Sequence, residues 1–210
     1  MSDAPTADLV LASASPRRRE LLEQLGLVLE VIPANIDETP HPGERPADYV
    51  RRVAGAKCDA VVAAGADARA AIPVVAADTI VVVEDQILGQ PKDDADARRM
   101  LLALAGRRHE VTTAYRISFR GKAVDRAVTT VVSFRSLQPA EVDAYVASGE
   151  WRGKAGGYAV QGRAGLFATE LRGSHTNVIG LPLAEVIADL RALDALPRYP
   201  PKAFGAAAPP

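Results

Sequence analysis

Apolar and polar positions follow two periods along this chain, and the periods predict its strands and helices. Uninterrupted apolar runs at residues 9–12 and 74–83 are typical of buried strands. Apolar side chains three and four positions apart predict a helix over residues 46–64, which opens on Pro46. Because helices alternate with strands in the first half of the chain, the pattern favours an α/β fold.

Turn and cap residues mark the remaining elements. Further helices are predicted over residues 16–25, 93–106, 139–148 and 182–193, and further strands over residues 28–33, 87–88, 111–119, 124–134, 158–161 and 166–171. Gly121 and Lys122 separate the two longest of these strands, which we expect to pair as a hairpin. We expect one domain over residues 8–196 and a disordered, Pro/Ala-rich tail over residues 197–210.

Three consecutive arginines stand at the start of the first predicted helix. Ser15 is a favoured N-cap and Pro16 suits the first helical position, so residues 17–19 lie in the first turn. The helix dipole disfavours cations there, and a bound phosphate would reverse that effect. Arg18 falls on the same helix face as the leucines, whereas Arg19 points outward. The segment predicts a phosphate site, with a solvated basic helix start as the alternative.

The composition narrows the possible functions. With 210 residues, 48% of them hydrophobic, and a net charge of −1, the chain can bury one large core and lacks the basic excess of a general nucleic-acid binder. The single cysteine, Cys58, excludes an intrachain disulfide and a cysteine-based zinc site. His41, His109 and His175 lack ligand spacing, so oxygen atoms would hold any metal. We expect no signal peptide, no membrane span and a cytoplasmic protein.

A carboxylate and a lysine interrupt two apolar patterns. Asp78 stands inside the strand at residues 74–83, where an ionised carboxylate costs several kcal/mol unless a cation, a metal or hydrogen-bond donors compensate it. Backbone amides at a bulge could satisfy it structurally, but a catalytic role is the favoured interpretation. Lys57 replaces an apolar residue on the buried face of the helix at residues 46–64. It could reach a phosphate, but taken alone its position favours a side chain that extends past the apolar face to solvent.

A glycine-punctuated segment over residues 150–162 is the third candidate for chemistry. Its glycines would let the backbone approach a ligand closely, and Lys154 offers a point charge for phosphate. Gln161 is expected to end a strand, and its carboxamide can complement the N3–H and carbonyl edge of uracil or thymine. Taken without the other motifs, the segment favours a mobile hairpin with a solvated glutamine.

Six blocks, in order along residues 8–193, resemble the Maf family of nucleoside triphosphate pyrophosphatases. They are Ser13-x-Ser15-Pro16-Arg17-Arg18, Ile36-Asp37-Glu38, Ala77-Asp78-Thr79, Glu150-x-x-x-Lys154-Ala155-Gly156, Val160-Gln161-Gly162 and the block from Asn177 to Leu183. Six ordered blocks are a far more specific signal than a lone glycine motif.

The resemblance implies a fold, a substrate and a cofactor. The implied fold is α/β, with an elongated mixed β-sheet flanked by helices, two lobes and a central cleft, as in the inosine triphosphatases. Arg17, Thr79 and Gln161 occupy the positions that resemble the branch hydrolysing dTTP and UTP. The resemblance also implies a divalent metal, usually Mg²⁺, and commonly a homodimer.

The site residues expected from the residues and the resemblance together divide into four roles. Asp78 is the expected general base, and Glu38 and Asp78 are the expected metal ligands, with Asp37 as a further candidate. Arg17, Thr79 and Gln161 are expected to set substrate specificity. The expected phosphate ligands are Ser13, Ser15, Arg18, Lys57 and Lys154.

Two alternatives and one departure accompany this interpretation. A nucleotide- or partner-binding regulator of cell division, as the family's septum-inhibition name suggests, is the rival function, and a phosphatase using an aspartyl nucleophile is a weaker one. The chain has Gln90-Pro91-Lys92 where the family usually has Lys-Pro. Either Lys92 reaches back, or Lys57 and Lys154 supply the charge, or the triphosphate site is weakened.

Overall fold

The computed structural model describes residues 7–65, 72–196 and 199–200. Its strands are β1 (Leu9–Leu11), β2 (Leu29–Val31), β3 (Val74–Val83), β4 (Gln86–Leu88), β5 (Arg108–Phe119), β6 (Lys122–Phe134) and β7 (Ala168–Arg172). Its helices are α1 (Pro16–Glu23), α2 (Pro46–Ala64), α3 (Asp94–Leu104), α4 (Pro139–Ala147), α5 (His175–Ile179) and α6 (Leu183–Ala192). None of these helices is long and apolar enough to cross a membrane.

All seven strands form one mixed sheet in the order β2-β1-β3-β5-β6-β7, with β4 paired to β3. The strands β1, β2 and β3 are parallel, whereas β3, β5, β6 and β7 pair antiparallel. The long β5–β6 hairpin turns at Arg120 and Gly121, both with positive φ. This architecture confirms the α/β fold that the pattern predicts and the mixed sheet with flanking helices that the resemblance implies.

One edge of β3 is only partly covered. β5 pairs with β3 from Val74 to Val82, so β1 and β4 share the opposite edge. β1 covers its start, at Val74 and Val75, and β4 covers its end, from Val81 to Val83. Within the described chain, residues 76–80 have no strand partner on that edge. We call this opening the β3 gap, and Asp78 and Thr79 lie in it.

The two faces of β3 bury different elements. Successive side chains of a strand point to opposite faces, and Val74, Ala76 and Ile80 pack with α2 residues on one face. On the other face, Val75 and Ala77 join a cluster with α1 and α6, while Val81 and Val83 join a cluster with α3 and α4. The apolar core on this second face is therefore divided in two, on either side of the β3 gap.

Most of the predicted elements are confirmed, and a few differ. Helix α2 and strand β3 have the predicted bounds, and Ser15 caps α1 as expected. The helix over residues 16–25 ends two residues early, at Glu23. The strand over residues 158–161 is wrong, because this segment is a turn closed by a hydrogen bond from Gly162 N to the Ala159 carbonyl. Helix α5 was missed, because five residues are too short to show a period.

The domain boundaries of 8–196 stay a prediction. The single sheet joins both core clusters, which agrees with one domain that has two lobes. In the predicted tail, residues 197–198 and 201–210 lie outside the described chain.

His109 makes the stability of the core depend on pH. Its ring is 2% exposed, its Nε2 lies 2.8 Å from Tyr158 Oη, and its Nδ1 is buried without a partner among the described residues. Burial lowers the pKa of His109 to about 4, below the 6.5 of an exposed histidine. The unfolded chain therefore binds the proton more tightly, and stability present above pH 6.5 is lost as the pH falls towards 4.

We expect the free energy of unfolding of the protein to fall by about 2 kcal/mol from this source between pH 7 and pH 5. Urea titrations at the two pH values measure the change. His109→Gln keeps a hydrogen-bonding side chain but cannot titrate, so it should remove this part of the pH dependence. An equal pH dependence in the wild type and the variant would contradict the assignment.

Candidate active site

A cleft of about 340 Å³ opens at the β3 gap. Its size falls in the range of small-molecule sites. All ten site residues predicted from the sequence line it, namely Ser13, Ser15, Arg17, Arg18, Glu38, Lys57, Asp78, Thr79, Lys154 and Gln161. The structure thus brings together residues that are up to 148 positions apart in the sequence (13 to 161).

Asp78 and Thr79 reach this cleft from opposite faces of the sheet. Asp78 points to the α2 face and Thr79 to the α1 face, because they are neighbours on a strand. In a fully paired sheet the two side chains would be separated by the adjacent strand. The β3 gap removes that strand, so a ligand passing through the opening can contact both residues.

A lysine bridges two carboxylates on the α2 side of the cleft. Lys57 Nζ donates to Asp78 Oδ1 at 2.9 Å and to Glu38 Oε2 at 2.7 Å. Lys57 is 8% exposed and Asp78 is 9% exposed, so the expectation that Lys57 could extend to solvent is wrong. Lys57 is the cationic partner that the buried Asp78 requires, and the bulge alternative for Asp78 is not needed.

Glu38 and Asp78 suit a divalent metal. Both carboxylates contact the same ammonium nitrogen, so they converge on one cationic position. Mg²⁺ is commonly held by one or two carboxylates together with substrate phosphates. The described residues contain no group of three or more His, Cys, Asp or Glu side chains that could hold a metal alone. The carboxylates therefore fit an ion whose other ligands come from phosphate and water.

Asp37 points elsewhere. Its carboxylate accepts a hydrogen bond from Thr39 N at 2.9 Å, and hydrogen bonds to the side chain and then to the backbone of Thr39 lower the pKa of Asp37. Asp37 is not among the residues that line the cleft. The structure thus favours Glu38 over Asp37 as the acidic group of this loop that faces the ligand.

Arg18 connects three segments on the α1 side of the cleft. Its Nε donates to the Gly180 carbonyl at 2.8 Å, its Nη1 to Ser13 Oγ at 3.0 Å and its Nη2 to Thr79 Oγ1 at 3.0 Å. It is 8% exposed, as the predicted inward face requires, and burial lowers its pKa. A guanidinium has five N–H donors, so two remain for a ligand after these three bonds.

Thr79 belongs to a chain of hydroxyl groups. Thr113 Oγ1 donates to the Asn177 carbonyl at 3.0 Å, so its proton is used there. Thr79 Oγ1, which lies 2.9 Å from Thr113 Oγ1, therefore donates to Thr113 and accepts from Arg18. This directional chain fixes the Thr79 hydroxyl, and it connects α1, β3, β5 and α5.

Arg17 spans the cleft entrance. Its Nε donates to the Ile179 carbonyl at 3.3 Å and its Nη2 to the Gly153 carbonyl at 3.1 Å. Burial lowers the pKa of Arg17, and burial followed by the nearby Arg17 charge lowers the pKa of Lys154. The two cations thus lie close together and repel each other. An anionic ligand between them would stabilise the charged form of both.

Gly153 lines the cleft, whereas two other glycines of the loop after α4, Gly156 and Gly157, have a different role from the predicted one. A Cβ on Gly156 would lie 3.0 Å from Val81, and one on Gly157 would lie 3.1 Å from Pro91. Both also have positive φ, near 70°. These glycines let the loop pack closely on the protein itself and so hold Lys154 at the cleft. Gln161 is exposed on the following turn and does not end a strand.

The departure at residue 90 changes the charge of the cleft wall. Gln90 lines the cleft, whereas Lys92 is exposed, does not line it and binds Asp96 through its backbone N–H. Lys92 therefore does not reach back to replace the missing charge. Lys57 and Lys154 are the lysines that face the cleft from the described residues.

The sequence patterns did not reveal three buried residues that support the cleft through hydrogen bonds. Thr113, Asn177 and Tyr145 received no role, although each is 3% exposed or less and hydrogen-bonded to a segment of the cleft. Thr113 follows Thr112 and Asn177 follows Thr176, so neither gives the signal that singled out Asp78, a lone polar residue inside an apolar run. Tyr145 gave no such signal, because tyrosine is an ordinary core residue.

Most of the chain is similar to known proteins. A family model described as Maf-like protein matches residues 8–193. A dTTP/UTP pyrophosphatase of Anaeromyxobacter dehalogenans strain 2CP-1 is 54% identical over 187 residues, covering 87% of this chain and 92% of that protein. Proteins of the same name from Sphingopyxis alaskensis and Shewanella oneidensis are 53% and 48% identical, covering 88% and 85% of this chain and 96% and 94% of theirs. The chain belongs to the Maf family.

Proposed function

We propose that this protein hydrolyses dTTP and UTP to the nucleoside monophosphate and pyrophosphate. The observation that carries the proposal is the cleft at the β3 gap, where a buried carboxylate on one sheet face meets a buried arginine on the other. The name shared by relatives that are 47–54% identical supports the same reaction.

The cations and hydroxyl groups of the cleft are suited to bind a polyphosphate. Arg18 offers its two remaining N–H donors, and Lys57 and Lys154 offer compact ammonium charges. Ser15 accepts from Arg18 N through its oxygen, which leaves its hydroxyl proton free to donate to phosphate. These groups neutralise the negative charge that builds on the departing pyrophosphate.

Asp78 acts as the general base in this proposal. Lys57 holds its carboxylate in place, and the carboxylate accepts a proton from the water that attacks phosphorus. The bond between the α- and β-phosphates breaks, and the pyrophosphate leaves with its electron pair. Maf-family pyrophosphatases are metal-dependent, and we propose that Mg²⁺, held by Glu38 and Asp78, polarises the phosphate oxygens when bound.

Three residues are proposed to select the base. Gln161 presents a donor and an acceptor that complement uracil or thymine. Thr79 and Arg17, the neighbours of Arg18 in the cleft, are held in place by hydrogen bonds to other residues of the protein. Their side chains therefore define the shape of the cleft on either side of Arg18. The alternative, a binding protein without catalysis, does not account for a carboxylate that faces the phosphate-binding cations across the cleft.

A panel of nucleoside triphosphates, incubated with Mg²⁺ and separately with EDTA, tests the proposal. Chromatography that separates pyrophosphate from orthophosphate is the readout. We expect pyrophosphate from dTTP and UTP in the presence of Mg²⁺ only. Release of orthophosphate alone, or no turnover of these two nucleotides, would overturn the proposal. We include in the proposal the homodimer that the resemblance implies and the cytoplasmic location expected from the sequence pattern, and sedimentation equilibrium and cell fractionation test them.

Residue 90 is a neutral glutamine where the family usually has a lysine, so restoring the charge should strengthen substrate binding. Gln90→Lys adds a cation to the cleft wall, so KM for UTP should fall by roughly 3- to 10-fold at low salt, with a smaller effect at 0.5 M salt. Initial rates at both salt concentrations measure it. Lys92→Gln, which changes a charge outside the cleft, is the matched control and should leave KM unchanged. An equal KM in Gln90→Lys and wild type would show that residue 90 does not face the triphosphate.

A further inference from the structure

The turn that carries Gln161 is attached to the protein at both of its ends. Two residues before Gln161, the backbone N–H of Ala159 donates to Tyr145 Oη at 3.1 Å. Two residues after it, the backbone N–H of Arg163 donates to Glu150 Oε1 at 2.9 Å. Gln161 itself is exposed and lines the cleft. The two bonds thus fix the backbone on both sides of the residue that faces the ligand.

The two anchoring side chains are also bonded to each other. Tyr145 Oη lies 3.3 Å from Glu150 Oε1 and donates its only proton to this carboxylate, since its oxygen already accepts from Ala159 N. Tyr145 is 3% exposed, and its ring packs edge-on against Phe167 at 5.4 Å between centroids. The pair therefore forms a rigid support, which we call the Tyr145–Glu150 brace.

The brace depends on the absence of a side chain at residue 162. A Cβ on Gly162 would lie 2.7 Å from Glu150 Cδ, closer than real contacts allow. The φ of Gly162 is −110°, so a left-handed backbone conformation does not explain the glycine. The glycine is needed because the carboxylate of Glu150 sits directly against the turn.

We propose that Tyr145 and Glu150 are positioning residues that set the recognition of the pyrimidine base by holding Gln161. Neither residue is among those that line the cleft, so their effect on the base is proposed to pass through Gln161. The inference rests on the proposed function, because it assumes that Gln161 contacts the base. It assigns base selectivity in part to a helix, α4, that lies behind the cleft wall.

Steady-state kinetics of Tyr145→Phe and Glu150→Ala with UTP test the inference. Each variant should lower kcat/KM by about 10-fold, mostly through a higher KM, because a loosely held Gln161 loses hydrogen bonds to the base. Inhibition by pyrophosphate, which has no base, should keep its wild-type inhibition constant. Glu150→Gln retains an acceptor oxygen for Arg163 N and should recover most of the loss. Asp143→Asn, at an exposed position of α4, is the matched control.

A double-mutant cycle separates positioning from general destabilisation. If the brace acts through Gln161, then Tyr145→Phe should have no further effect in a Gln161→Ala background, and the double variant should stay near a 10-fold loss. A double variant whose kcat/KM falls by about 100-fold, the product of the two single losses, would overturn the inference. Inhibition by pyrophosphate that weakens in parallel with the loss of activity would overturn it too. So would a Gln161→Ala variant with wild-type kinetics.

Failure of the proposed function gives a different result. In that case the wild type itself would release no pyrophosphate from UTP, whatever the variants do. Amide hydrogen exchange across residues 159–163 then tests the brace without any substrate, because Tyr145→Phe should speed exchange of this turn. Unchanged exchange in the variant would overturn the brace itself.

Discussion

Asp78→Asn should lower kcat by about 100-fold or more while the protein stays folded. Asparagine has nearly the same shape as aspartate, and its carbonyl oxygen can still accept from Lys57, but it cannot take a proton from water. Lys57 also keeps its bond to Glu38, so the core does not lose its ion pair completely. Pyrophosphate release under saturating UTP and Mg²⁺ measures kcat, and circular dichroism measures folding.

The control for this variant is Asp125→Asn. Asp125 is an exposed carboxylate of the same sheet that pairs with Arg116, away from the cleft. It should leave kcat unchanged. Turnover near the wild-type value in Asp78→Asn would remove Asp78 from the mechanism, and a loss of the folded state in that variant would show that its role is structural.

Lys57→Met should destabilise the metal-free protein by about 3 kcal/mol and lower its Tm by roughly 10 °C. The substitution keeps the apolar stem of the side chain but removes the ammonium that lies between Asp78 and Glu38. Because Asp78 is buried, water compensates this charge poorly. Scanning calorimetry in EDTA measures the loss.

The same variant should respond more strongly to Mg²⁺ than the wild type does. In the wild type the ammonium of Lys57 occupies the position between the two carboxylates, so the ion must compete with it. Without that competitor, millimolar Mg²⁺ alone should recover several degrees of Tm. Lys122→Met, at an exposed position of β6, is the control. Equal Mg²⁺ shifts in wild type and Lys57→Met would show that the ion does not bind at these carboxylates.

The sequence predicts which residues meet in the cleft better than it predicts how they are held. The helical period correctly turns Arg18 inward, and the apolar pattern correctly shows that Asp78 needs a compensating partner. Both inferences depend on local spacing. The identity of that partner, Lys57, could only be left open, because the distance between α2 and β3 is set by packing and not by local spacing.

Two features lie beyond what local patterns can specify. The β3 gap results from where β1 ends and β4 begins, and this register between separate segments is fixed by tertiary packing. At residues 158–161 the local pattern predicts a strand that the structure does not contain. The Tyr-Ala-Val-Gln sequence resembles a strand, but the two bonds of the Tyr145–Glu150 brace hold it as a turn. A long-range contact therefore overrides the local preference.

The position of the β3 gap also decides which parts of the site would move if the cleft closed. β3 remains bonded to β5 along almost its whole length, while its two ends pack into separate core clusters. Closure would therefore bend one continuous ladder near its middle. Points on a bending axis move least, so Asp78 would stay in place while Arg18 and Gln161, carried by opposite halves, approach each other around the nucleotide.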